Sequence, residues 1–368
     1  MDRAWEPNPD QQHLLTITPL KTNFLIYGAY GYTGRLIVEL AVSRGHQPVV
    51  AGRDADKTRA LAGQYGLPYF VFDVTDTPAL TRALTDVQAV LHCGGPFALT
   101  APAMVEACLQ TQTHYLDITG EIEVFEHMAR QHDAALAAGI TLLPGVGFDV
   151  VPSDCLALHL KQRLRDATDL QLAFKTTGGL SRGTALTALH NAHRPGMIRR
   201  AGSLTPVPAA YEVRQVAFDG PPEPAVLLPW GDVSTAFYST GIPNIRVFMA
   251  QSRGAIRLMK LMRYASGALR VPAVRSWLTG LINRRVTGPA PEVRQAEQCY
   301  LWGQVSNPAG YAIQATLITP EAYHLTAQTA LLATERVLAG TTKPGFFTPA
   351  SAFGADFILQ IPGTTRPA

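Results

Sequence analysis

Residues 28–34 read Gly28, Ala29, Tyr30, Gly31, Tyr32, Thr33, Gly34, directly after the apolar run Phe24-Leu-Ile-Tyr27 and before an amphipathic stretch near 33–44. A strand, a glycine-rich turn and a helix in that order form the context of a dinucleotide-phosphate site. Gly28 permits the tight turn, Gly31 lets the backbone approach a pyrophosphate, and Gly34 allows close packing of the helix. The helix N-terminus then faces the anion with its amides and dipole. The spacing is GxxGxxG, so the motif gains its weight from the pattern of the next hundred or so residues. Five more short apolar runs occur there, at Pro48–Ala51, Tyr69–Phe72, Ala89–His92, Tyr115–Asp117 and Ile140–Leu143. Helical patterns near 55–65, 77–85, 100–111 and 121–138 lie between them. Strict alternation predicts crossover connections and a doubly wound parallel sheet of the Rossmann type.

The chain has 368 residues, more than the roughly 250–300 at which one core stops growing, so two domains are expected. Residues 1–22 are polar and proline-bearing and read as a flexible tail, residues 23–148 as the nucleotide-binding domain, and residues 149–320 as an α+β domain for substrate or dimerisation. After Pro144 the segments 168–177, 211–218, 231–240, 245–250 and 311–319 read as strands without a helix between each pair, which predicts an antiparallel or mixed sheet. The helix 321–339 and the apolar, turn-rich stretch 346–357 are expected to return to the first domain. At 47% apolar and 16% charged residues, disorder is excluded. A net charge of +3 gives no reason to expect a nucleic-acid partner. No apolar run is long enough for a membrane span, and the start of the chain lacks signal-peptide features. Cys93, Cys108, Cys155 and Cys299 show no metal-type spacing and read as reduced thiols of a cytosolic protein.

The second strand ends Ala51-Gly52-Arg53-Asp54, where an NAD site usually places a carboxylate for the ribose. Arg53, with Lys57 one turn on, favours a 2′-phosphate instead and predicts NADP(H). Asp54 fits a helix N-cap or the ribose. Asp73, at the third strand's end, is placed to meet the adenine edge or to cap the next turn. Three further turns should converge on the nicotinamide: Gly94, Gly95, Pro96 and Phe97; His114 to Glu121; and Pro144 to Asp154.

The GAYGYTG turn, AGR, GGPF, HYLDITGE and GFDVVPSD together resemble the saccharopine dehydrogenase-like oxidoreductases, and within that group are most similar to the trans-acting enoyl reductases. Gly231–Gly241 and Phe347–Gly354 look like that group too, whereas Ser181-Arg182-Gly183 departs from its Ser-Gly-Gly turn. The resemblance implies NADP(H), a reductase fold, polyketide or lipid biosynthesis, and an acyl substrate held on a separate synthase.

Reduction of an α,β-unsaturated thioester needs a group that protonates the α carbon or stabilises the enolate. Asp117, Glu121, Asp149, Ser153 and Tyr238 are candidates, with Asp154 and Ser181 beside them. Caps and structural acids are the competing roles for Asp117, Asp149, Ser153 and Asp154. The alternative chemistry is C=N reduction of the saccharopine type, for which Arg182, Arg194 and Arg214 could bind carboxylates. A non-catalytic NADP-binding protein also fits. Gly179-Leu-Ser181-Arg-Gly183 matches GxSxG but lacks an oxyanion loop and lies outside the parallel sheet. None of the 12 tyrosines has Lys four positions on, which excludes a Tyr-x-x-x-Lys mechanism. The histidine pairs His190/His193 and His127/His132 lie in polar helical stretches, and no metal is expected.

Between Asp232 and Glu292 there is no acidic residue, while the segment 246–285 carries Arg246, Arg253, Arg257, Lys260, Arg263, Arg270, Arg275, Arg284 and Arg285. This amphipathic stretch fits a solvated helix face, a dock for an acyl carrier protein or synthase, a peripheral membrane contact or a homodimer contact.

Overall fold

The computed structural model describes residues 22–176, 195–265 and 297–367, with isolated positions at 276, 279–281 and 284. The expected tail before residue 22, Ser181, Arg182, the GxSxG stretch, the pair His190/His193 and Arg194 lie outside them.

Six strands and six helices alternate through the first part: β1 (Thr22–Tyr27), α1 (Tyr32–Ser43), β2 (Val49–Gly52), α2 (Ala55–Tyr65), β3 (Tyr69–Val71), α3 (Thr77–Thr85), β4 (Val87–His92), α4 (Phe97–Thr111), β5 (His114–Asp117), α5 (Ile122–Arg130), α6 (His132–Ala138) and β6 (Thr141–Leu143). All pair in parallel in the order β6-β5-β4-β1-β2-β3, the doubly wound arrangement. Strand side chains alternate between two cores, as the period of two requires. Phe24, Ile26, Val50, Leu91, Leu116 and Leu143 enter one. Leu25, Tyr27, Val49, Val90, Tyr115 and Leu142 enter the other. The single helix expected over 121–138 is two helices, with Gln131 as the last cap of one and the first cap of the next.

The chain then crosses on α7 (Val151–Arg163) to a second sheet. Its strands are β7 (Asp169–Thr176), β8 (Gly196–Arg200), β9 (Ser203–Val207), β10 (Val213–Val216), β11 (Glu223–Leu227), β12 (Asn244–Ala250), β13 (Gln298–Ser306) and β14 (Ala312–Pro320). The main order is β10-β11-β12-β7-β13-β14; β12 and β7 are parallel and the other pairs on this path antiparallel, so the sheet is mixed. Gly303 faces α7, because a Cβ there would come within 2.7 Å of Leu160.

Residues 231–240 are not a strand. They form α8 (Asp232–Thr240), closed by Gly241 in the left-handed region at φ 68°. Val233, Thr235 and the aromatics give this stretch a strand-like composition, but Val233, Ser234, Thr235 and Ala236 are all buried. Packing outweighs propensity here.

After α9 (Arg253–Ala265) and β14, the helix α10 (Ala322–Leu338) lies along α1. Arg44 and His46 beyond α1 both meet Glu335 of α10, at 3.4 and 2.9 Å. A short strand, β15 (Gly345–Phe346), then adds to β6 in parallel and becomes the seventh strand of the first sheet. Finally α11 (Pro349–Phe353) packs on α7. Among the described residues no helix is long and apolar enough to cross a membrane.

Candidate functional site: a dinucleotide crevice and a carboxyl cluster

Strand order reverses about β1, which has β2 on one side and β4 on the other. Open α/β sheets bind ligands outside the strand ends at such a point. Here the two glycine turns touch. Gly28 sits at φ 76°, and a Cβ on it would come within 2.8 Å of the Gly94 amide. A Cβ on Gly34 would come within 2.4 Å of the Gly28 carbonyl, so α1 packs directly on the turn. Gly31 is the N-cap of α1, with no side-chain cap and no acidic residue in the first turn. The positive helix end therefore faces the crevice uncompensated, which fits a pyrophosphate. Ala29 is buried in the core beside the turn. Tyr32 meets Tyr323 of α10 edge to face at 4.9 Å.

At the end of β2 the charges separate into two roles. Asp54 caps α2 by accepting the Lys57 amide, and its other oxygen takes the Lys57 ammonium at 2.6 Å. Those bonds lower the Asp54 pKa. Tyr30 lies under Gly52, its hydroxyl accepting the Asp54 amide at 3.3 Å, and Lys57 stands 5.7 Å from its ring centroid. Arg53 is exposed, has no ion-pair partner among the described residues, and is close enough to Asp73 and Tyr27 to affect both. Asp73 forms a local turn with the Thr75 amide and hydroxyl, which lowers its pKa.

Beyond β4, Pro96 is the N-cap of α4 and follows a cis Gly95–Pro96 peptide. The helix start is held from outside. Phe97 and Ala98 donate their amides to the two carboxylate oxygens of Glu121, at 2.9 and 2.8 Å. His92, fully buried at the end of β4, contacts the Thr100 hydroxyl through Nε2 at 2.8 Å. That hydroxyl donates to the Gly94 carbonyl, so it accepts from Nε2–H and leaves Nδ1 unprotonated. Burial pushes the His92 pKa down to about 3.

The sequence candidates for proton donation meet different fates. Asp117 is fully buried and accepts from the Tyr115 hydroxyl, the Thr119 amide and the Gly145 amide, at 2.8, 3.0 and 2.8 Å. Burial raises its pKa to about 7 against those bonds. It ties β5 to the turn after β6. Asp154 joins α7 to α8 through Ser239 and to α11 through the Ala350 amide, at 2.5 and 2.9 Å, with its pKa raised by burial to about 6. Tyr238 donates to Glu126 at 3.0 Å, and burial with that carboxylate raises its pKa to about 12. Glu126 also takes Ser234 and the buried Arg199, at 2.7 and 2.6 Å, which fastens α5 to α8 and β8. Ser153 donates to the Val150 carbonyl at 3.1 Å and lies against Asp232.

Asp149 is the exception. No described residue donates to its carboxylate, it is half-buried, and burial pushes its pKa up to about 6. Its Oδ2 lies where a Cβ on Gly120 would come within 2.8 Å, and its carbonyl accepts the Trp230 indole N–H at 3.0 Å. From α10, Thr329 donates to the Val146 carbonyl and Thr326 accepts the Phe148 amide, so the turn bearing Asp149 is held from behind. Asp232, at the start of α8, is a functional candidate that the sequence hides, because a strand is expected there. It is fully buried, and among the described residues none hydrogen-bonds to either carboxylate oxygen. Burial, with Asp154 and Asp149 nearby, raises its pKa well above the ordinary carboxylate range. Its neighbour Gly231 packs on the Gly120 carbonyl, which places α8 beside the same turn. Among the described residues no group of three or more His, Cys, Asp or Glu side chains could hold a metal ion.

The sheet, the paired glycine turns and the uncapped helix end define a nicotinamide-dinucleotide-binding domain of the Rossmann class. Residues 24–143 match the family model described as the saccharopine dehydrogenase NADP binding domain. A trans-acting enoyl reductase of Mycobacterium leprae (strain TN) is 32% identical over 158 residues, 40% of this chain and 38% of that one. A saccharopine dehydrogenase-like oxidoreductase of Mus musculus is 26% identical over 215 residues, 50% of each. The matched stretches thus span half or less of these relatives. In overall fold the chain is similar to apo saccharopine dehydrogenase (L-Glu forming) from Saccharomyces cerevisiae, at TM-score 0.63 and 15% identity, covering 94% of this chain and 100% of that one. A homospermidine synthase from Legionella pneumophila in complex with NAD also gives 0.63, at 11% identity and covering 94% and 92%.

Proposed function

We propose that this chain is an NADPH-dependent reductase of an α,β-unsaturated acyl thioester, with Asp149 as the proton donor. The observation that carries this assignment is the contrast among the acids: Asp117, Glu121 and Asp154 are each bound by fixed donors, whereas Asp149 is not. Its raised pKa keeps a fraction of it protonated near neutral pH, as a general acid requires. NADPH, when bound, supplies the hydride that goes to the β carbon. Asp149 then gives its proton to the α carbon, and the saturated thioester leaves with the carboxylate ionised. Gly120, lacking a side chain, lets the turn after β5 pack against the Asp149 carboxylate. The match to an enoyl reductase over part of the chain supports the choice of a C=C bond.

C=N reduction is supported less well. Arg214, offered for a substrate carboxylate, is engaged by Gln171 and Gln304 and lies over Trp302 at 4.7 Å. Gln304 adjoins Gly303, which faces α7, so Arg214 is on the far face of the second sheet.

NADPH oxidation should be followed with crotonyl-type thioesters beside glutamate-semialdehyde imines. Asp149→Asn is expected to lower kcat by about 10²–10⁴-fold while sparing NADPH affinity. Turnover of imines alone would replace the reaction, and cofactor binding without any turnover would favour a non-catalytic protein.

A further inference from the structure

We infer that α9 is a docking face for an anionic lipid membrane surface. The helix has three distinct sides. Ile256 and Met259 pack against Ala210, Val226 and Leu228, and this side fixes the helix to the second domain. Arg253, Arg257 and Lys260, at i, i+4 and i+7, form a row of exposed cations. No described residue pairs with them, in contrast to Arg246 of the same basic segment, which meets Glu212 at 3.1 Å. Opposite the packed side stand Leu258 and Leu261, 59% and 67% exposed.

A solvated helix face accounts for the cations but leaves two neighbouring leucines in water. An acidic carrier domain complements the cations, but would cover the leucines only through an apolar patch of its own. An anionic leaflet takes both: short apolar side chains enter the acyl boundary while the flanking cations meet lipid phosphates. The charge is concentrated, because no acidic residue occurs between Asp232 and Glu292.

The test is co-sedimentation with phosphatidylcholine–phosphatidylserine vesicles and with phosphatidylcholine alone, across a salt titration. The wild type should sediment with the mixed vesicles at low salt, release as salt rises, and ignore the neutral ones. Arg253→Gln, Arg257→Gln and Lys260→Gln together should weaken partitioning by on the order of a hundredfold. Leu258→Ser with Leu261→Ser should weaken it by roughly tenfold and keep the salt dependence. NADPH affinity, unchanged in both, reports that they fold; should either fail to fold, the wild-type contrast between the two vesicle types still decides. No sedimentation of wild type with mixed vesicles at low salt overturns the inference. So do variants that both bind vesicles as wild type does. Retained vesicle binding alongside lost binding of an acidic acyl carrier protein overturns it in favour of a protein dock, and a wild-type dimer that the leucine variant converts to monomers, without vesicle binding, in favour of self-association.

Discussion

The carboxylate of Glu121 holds the backbone amide of Phe97 at 2.9 Å, and its second oxygen takes the amide of Ala98. A residue placed for proton donation by its position at a strand end is instead an external cap for α4. Glu121→Ala should cost about 1–2 kcal/mol of stability, because two helix amides and the positive helix end lose their partner. Thermal unfolding measures this. The pH profile of turnover should keep its shape; a profile that loses its fall towards high pH would return Glu121 to the role of proton donor.

Arg53 and Lys57 should separate in cofactor binding. Arg53 is exposed and free of any ion pair with a described residue, whereas Lys57 would have to leave Asp54. A charge-assisted bond to the 2′-phosphate contributes about 1.5–3 kcal/mol, or one to two orders of magnitude in affinity. Arg53→Ala should weaken NADPH by that much and leave NADH nearly unchanged, with a smaller loss for Lys57→Ala. Titration of both cofactors checks this, and equal wild-type affinities would contradict it.

Turnover should fall as pH rises past about 6, since a general acid must be protonated to act and burial sets the Asp149 pKa there. The measured limb is that of kcat/KM for the thioester. In Asp149→Asn the residual activity should be flat through the same range. A wild-type profile flat from pH 5 to pH 8 would remove Asp149 from the role.

Asp117 should shape stability through pH. Its folded pKa, about 7, lies above the ordinary value of 3.8, so the folded protein holds the proton longer and the contribution is lost as pH rises from about 4 to 7. His92 acts in the opposite sense: its folded pKa near 3 makes stability fall as pH drops below about 6.5. The comparison that isolates Asp117 is therefore with Asp117→Asn. That variant keeps an acceptor for Thr119 and Gly145, and its stability should decline less than wild type's between pH 4 and pH 7. The difference should be on the order of a few kcal/mol by denaturant titration.

Much of the first sheet is legible in the sequence because its signals are local. Apolar runs of three to six residues, glycine turns and caps such as Asp54 lie within a few positions of the elements they define. The carboxyl cluster is not legible. Asp149, Ser153 and Asp154 stand out as a group, yet what distinguishes Asp149 is the partners that the other acids acquire from Thr119, Gly145, Ser239 and Ala350, the last of them 196 positions from Asp154. Asp232 is hidden by composition, since residues 232–240 are helical by burial; the one local signal against a strand is Gly241. Likewise β13 shows no strict alternation to read, because Leu301, Trp302 and Gly303 are buried in succession.

The first sheet receives its edge strand from Gly345–Phe346, some two hundred residues after β6, and the flank of α1 is covered by Ala322–Leu338. As the chain emerges from the ribosome, the nucleotide-binding half must wait with one edge unpaired and one apolar flank bare until the entire second domain has been made. Closing so large a loop slows folding and prolongs exposure of sticky surface. Residues 22–148 expressed alone should therefore aggregate, although they carry the whole glycine motif.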